Sequence, residues 1–139
     1  MKNKLQNHIK NQNLVQIRRD NLGVPALNGV LVQASDKLLL LHNLVDFHWD
    51  GYCVIRSKDV SKIRHNKWDV FFKKILIKEK VFITKKKHLS INVSNWQSVF
   101  TSLATYKRNI IVEGESDDEF LIGKIERVDT NAKLCSKKK

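Results

Sequence analysis

Four residues of the 139-residue chain have the types and spacing of a metal site: His42, Asp46, His48 and Asp50. Imidazole and carboxylate are common ligands of divalent metals. On one extended strand, residues an even number apart share a face, so all four could converge. The signatures of established metal frameworks are missing: the chain has no Cys/His finger, HExxH or EF-hand loop. Polar residues beside a strand explain the pattern more simply, and no metal is expected. Asp117, Asp118 and Glu119 form a second acidic group, read as a solvated turn. No G-x-S-x-G elbow, P-loop or dinucleotide fingerprint occurs, and the five glycines are scattered. Neither a cofactor nor an enzyme is expected. Cys53 and Cys135 lie far apart, with neither a zinc spacing nor a disulfide framework. Cys53, inside a strand pattern, reads as a small buried apolar residue, and Cys135 as a free thiol.

The other chemistry is electrostatic. The net charge of +12 attracts phosphates and acidic surfaces without specifying either. Arg18, Arg19, Arg56, Lys62 and Arg64 fall at strand positions, while Lys85, Lys86 and Lys87 form a run, as do Lys137, Lys138 and Lys139. Trp49 and Tyr52 flank Asp50-Gly51 and could stack on bases, although cross-strand packing is their commoner use. Lysines outnumber arginines 20 to 6. Planar two-point phosphate recognition favours arginine, and a lysine- and asparagine-rich composition equally fits an AT-rich genome. Nucleic acid is therefore the alternative partner rather than the first.

The elements that must position these residues begin with a polar terminus. Residues 1–12 hold Leu5 and Ile9 at a helical spacing, but a frayed tail is expected. Alternation then predicts strands over 14–19 and 28–34, a short apolar strand over 37–43, and strands over 51–56 and 60–64. Asp50-Gly51 between two hydrophobic runs predicts the tight hairpin turn. Asn66, with Asp69 three residues on, predicts a capped helix whose apolar face carries Trp68, Phe71, Phe72, Ile75 and Leu76. Val81 to Ile83 reads as a connection or short strand. Ser94 with Gln97 predicts the start of a second helix over 95–107. Strands are expected over 110–113 and 120–128, with a third beginning near Leu134.

The stretch from Asn28, NGVLVQASDKLLL, can be laid on IGKIERVDTNAKL from Ile122. Gly29 then falls on Gly123, Leu31 on Ile125 and Ala34 on Val128, with Leu39 near Leu134 after one shift. This implies a partial internal repeat. If so, the second copy has only its first three strands, which leaves an open sheet edge.

The segment 14–64 resembles the Sm and Sm-like small β-barrels, built from five bent strands in an SH3-like topology. Gly29, Leu31 and Asp36 carry the resemblance, with Leu38 to Leu41 behind them and Ile55, Arg56, Val60 and Ile63 near the end. The aspartate comes one residue late, Lys37 and Leu38 stand where the family has its RNA-pocket asparagine, and Ser57 stands where it has glycine. The resemblance thus implies the fold and not the RNA activity.

The expected class is α+β, mainly β: a five-stranded Sm-like barrel, then two helices and a three-stranded C-terminal segment. The expected divisions are a flexible terminus at 1–12, the barrel at 13–65, a helical connector at 66–108, a partial second barrel at 109–135 and a basic tail at 136–139. No run approaches the roughly 18 apolar residues of a membrane span, and no signal-like segment follows Met1. A cytoplasmic protein without membrane contact is expected. Its role is read as a non-enzymatic interaction or regulatory module, with a protein partner or self-association through an exposed strand edge.

Overall fold

A computed structural model of the chain describes residues 2–82, 87–113, 120–128 and 134–138. They form a mixed α+β structure, mostly β, in two compact units, residues 1–89 and 90–139. The segment read as a helical connector is divided between them.

The first unit opens with helix α1 (Lys2–Lys10), where the sequence reading expects a frayed tail. The reason is tertiary. Leu5 is buried in a cluster with Val15, Ile17, Leu31, Leu39, Leu41 and Ile55, and Ile9 packs against it. A nine-residue helix is marginal alone; docking an apolar stripe on a sheet stabilises it.

Five strands follow: β1 (Leu14–Arg18), β2 (Leu27–Ala34), β3 (Leu38–Val45), β4 (His48–Arg56) and β5 (Lys62–Arg64). They pair antiparallel in the order β4-β3-β2-β1-β5. No ladder joins β4 to β5 among the described residues, so the closed barrel expected from sequence is not found. β5 has only three residues, and its pairing goes to β1. What stands is a five-stranded antiparallel sheet.

Leu38 to His42 of β3 are buried without a break, which is why the run does not alternate. Leu39 and Leu41 join the cluster that receives α1. A separate cluster holds Leu14, Val30, Leu44, Leu76 and Phe82. Leu76 belongs to helix α2 (Lys67–Lys78). The sheet is thus covered by one helix at each cluster.

α2 begins as its sequence predicts. The Asn66 side chain accepts from the Trp68 and Asp69 amides, and the Asp69 carboxylate accepts from the Asn66 amide. This reciprocal cap satisfies donors that a helix start otherwise leaves open. Lys80, at φ 61°, turns the chain back, and the Val81 and Phe82 amides both donate to the Leu76 carbonyl. Val81 and Phe82 are not in a strand.

The second unit holds α3 (Trp96–Ala104) and a three-stranded antiparallel sheet of β6 (Asn109–Glu113), β7 (Phe120–Val128) and β8 (Leu134–Lys138). Asn95, not Ser94, caps α3, accepting from the Ser98 amide at 2.8 Å. Asn95 is the last extended residue, so its side chain reaches the first turn, and Ser94 stands one residue too far out. Ser136 to Lys138, read as a basic tail, lie in β8. The acidic turn at 114–119 lies outside the described residues.

Candidate functional site

The β3–β4 connection decides where the candidate residues point. The hairpin turn is Asp46-Phe47, with φ 46° and 67°, and not Asp50-Gly51. Gly51, at φ 77°, lies inside β4, where the pairing shifts between His42↔Tyr52 and Leu44↔Trp49. Three residues of β4 therefore span what two of β3 span, which is a bulge with glycine at the positive-φ position. The Asp-Gly signal marks a backbone that needs positive φ, and a bulge needs it as a turn does.

The bulge stacks three rings. His42 is buried, with the Trp49 ring at 4.3 Å and 13° and the Tyr52 ring at 4.3 Å and 7°. Trp49 Nε1 donates to the Val81 carbonyl at 2.7 Å, and its ring tilts against Phe82 at 5.7 Å. Tyr52 Oη shares a hydrogen bond of 3.1 Å with His88 Nδ1, whose ring stands edge-on to His42 at 5.3 Å. The two aromatic residues read as base-stacking candidates are thus brought together, yet each gives one ring face to His42. Their polar tips are bound to Val81 and His88.

The four-residue metal pattern is dispersed. His42 lies in the ring column, Asp46 in the turn, and His48 and Asp50 are exposed on β4. The turn at Asp46-Phe47 separates the strands, so the shared face assumed for an unbroken strand does not form. No group of three His, Cys, Asp or Glu side chains that could hold a metal occurs among the described residues.

Three of the candidate arginines are engaged within the chain. Arg18 meets Asp20 at 3.1 Å, and Arg56 grips Asp59 at 2.7 and 3.3 Å. Arg64 holds both Asp69 oxygens at 2.9 and 3.2 Å and donates to Gln16 Oε1 at 3.2 Å. The hydrogen bonds donated to Asp69 raise the Arg64 pKa above its ordinary value; desolvation opposes this, and the carboxylate charge assists it. Arg64 thus joins β5, β1 and the α2 cap. The Arg19 Nε is buried without a hydrogen-bond partner among the described residues. Lys62 and Lys87 are exposed. Lys85 and Lys86 lie outside the described residues.

A pair of imidazoles escaped the sequence reading. His8 of α1 is 6% exposed, and its ring stands edge-on to His65 at 5.4 Å. His65 Nδ1 donates to the Leu14 carbonyl at 2.7 Å, and His8 Nδ1 lies 3.0 Å from Asn13 Nδ2. Burial, then the His65 and Lys4 charges, lower the His8 pKa below 6.5. The only signal for it in the sequence is its place one residue before Ile9 on a helix-compatible repeat.

No family model, curated protein or solved structure matches the chain. No helix among the described residues is long and apolar enough to cross a membrane.

Proposed function

We propose that the protein is a non-enzymatic interaction module, an Sm-like arrangement of five strands that associates through an open sheet edge. The observation that carries this is the strand order: β4 and β5, at its two ends, each have one ladder partner among the described residues. Unpaired edge amides and carbonyls are a template for a strand from another chain. β5 returning beside β1 supports the SH3-like topology. The nucleic-acid alternative is weakened at its proposed rim, where Arg18, Arg56 and Arg64 bind carboxylates and Trp49 and Tyr52 pack on His42.

The test is amide exchange of the full chain at low and high concentration, paired with light scattering. Self-association should add protection confined to β4 or β5. A monomer at every concentration, coupled with RNA binding that falls steeply with salt, would favour the alternative.

We also infer that the second unit repeats the opening half of the first. Both run helix, then three antiparallel strands. Gly29 pairs with Val15 and Asn43, and Gly123 pairs with Ile110 and Lys138. The pairing shifts between Leu31 and Gln33 in one and between Ile125 and Arg127 in the other, two residues past the glycine each time. Bulges at matched offsets are more specific than matched apolar residues. Gly123→Ala should loosen β6 to β8 in amide exchange while leaving β1 to β5 protected; undisturbed β6–β8 amides would count against the repeat.

A further inference from the structure

Among the described residues, helix α2 is docked by one side only. Leu76 is fully buried, Phe72 packs on the same cluster, and Lys73 reaches the Asn11 carbonyl at 2.9 Å while lying 4.9 Å from the Phe82 ring centre. The other side presents Trp68 at 65% exposure and Phe71 at 58%, with Val70 and Ile77 also exposed. Lys67, Lys74 and Lys78 stand exposed among them. On a helical wheel these lysines and Phe71 fall within one narrow sector, with Trp68 on one flank and Val70 and Ile77 on the other. The one acid inside the helix, Asp69, is buried and bound to Arg64 and the cap, so it does not offset them.

A second apolar feature adjoins this face. Phe47 is 48% exposed at the tip of the β3–β4 hairpin, and its ring contacts Phe72 of α2 at 5.0 Å. It holds φ 67°, a conformation that strains a side chain with a Cβ and that glycine or asparagine adopts cheaply. Val45, at the same tip, is half exposed. A bulky aromatic thus stands half exposed at a strained backbone position.

We propose that the outer face of α2, with the Phe47 hairpin tip, docks on an anionic phospholipid surface. Lysines at headgroup level beside Trp and Phe side chains are the chemistry of helices lying in a membrane interface. The charge balance favours an anionic partner: Lys67, Lys74 and Lys78 outnumber the exposed acids that border the surface, Asp46 at the hairpin tip and Glu79 at the helix end. Val45, half exposed beside Phe47, argues for lipid over nucleic acid, because an aliphatic side chain offers bases no stacking platform. Such binding lies on the surface and needs no spanning helix. It goes beyond the edge-association reading and uses different residues.

The test is cosedimentation of the full chain with vesicles of phosphatidylcholine alone or with roughly 30% phosphatidylserine. Binding should require the anionic lipid and weaken with salt. Each juxtamembrane lysine contributes about fivefold in partitioning, so the combined Lys67→Gln, Lys74→Gln, Lys78→Gln variant should lose roughly 100-fold. Phe71→Ser, a change at an exposed position, should also reduce pelleting while the circular dichroism is unchanged. Failure of the wild-type chain to pellet at low salt would overturn the proposal. So would undiminished pelleting of both variants. A concentration-dependent dimer abolished by Phe71→Ser, or single-stranded RNA binding lost in the lysine variant without any lipid binding, would assign the face to another occupant. Edge association, measured without lipid, should survive both changes.

Discussion

Gly29→Ala is the sharpest perturbation of the first unit. A Cβ built on Gly29 would lie 1.9 Å from the His42 carbonyl oxygen, 2.9 Å from its carbon and 3.2 Å from the Asn43 Cα. All three are backbone atoms of β3, so no side-chain rotation relieves the contact. Opening the closest approach even to 3.0 Å requires the strands to part by 3.0 − 1.9 = 1.1 Å. The pairs at that point are Gly29↔Asn43 and Val30↔His42. A hydrogen bond stretched by that amount is broken. Each buried backbone group left unsatisfied costs about 1–3 kcal/mol. Loss at two adjacent pairs therefore amounts to roughly 3 kcal/mol or more, beyond the usual range for a surface substitution. Urea unfolding monitored by tryptophan fluorescence measures it. Gly23→Ala is the control: a Cβ there would have nothing within 4 Å, and φ 62° leaves only a left-handed strain of about 1–2 kcal/mol. If Gly29→Ala costs no more than Gly23→Ala, close strand approach is not why glycine stands at this position.

Three further outcomes follow from the packing. The lowered His8 pKa means that the unfolded chain binds the proton more readily; its stabilising contribution is present above pH 6.5 and is lost as pH falls toward the folded-state value. The unfolding midpoint should therefore drop on acidification through this window, and His8→Gln should flatten the dependence; an unchanged pH profile would refute the assignment. Asn66→Ala removes the acceptor for the Trp68 and Asp69 amides and should cost about 1 kcal/mol in the same urea assay. Trp49→Phe keeps a ring against His42 but deletes the bond to the Val81 carbonyl, for a loss of about 1 kcal/mol and faster exchange of the amides near Phe82.

The strand positions were legible because local pattern and burial agree. Val15 and Ile17 are buried and Arg18 is exposed, as alternation in 14–19 implies. The α2 cap was legible because Asn66 and Asp69 satisfy each other within one turn. The terminal helix was not, since Leu5 and Ile9 are too few to fix a helix without the sheet beneath them. Asp50-Gly51 misplaced the hairpin because positive φ serves turns and bulges alike. The actual turn uses Asp46-Phe47, and phenylalanine is a residue that turn chemistry disfavours there.

The candidate site failed to emerge from sequence for a connected reason. With the turn at Asp46-Phe47 instead of Asp50-Gly51, His48 and Trp49 follow the turn, in β4, instead of preceding it. In β4, Trp49 crosses to Leu44 and Tyr52 to His42, and the bulge between them lets both rings close on one imidazole. One misplaced turn thus creates an apparent metal face and hides an aromatic column. The same shift leaves Phe47 at the hairpin tip against Phe72. Most of the chain's exposed aromatic surface in the first unit then gathers on α2 and this tip, away from the arginines that the strand pattern had offered as a binding rim. Those arginines anchor turns and the α2 cap. Positive charge still open to a partner in this unit includes Lys67, Lys74 and Lys78 of α2, and they stand on the same helix as its exposed Trp68 and Phe71.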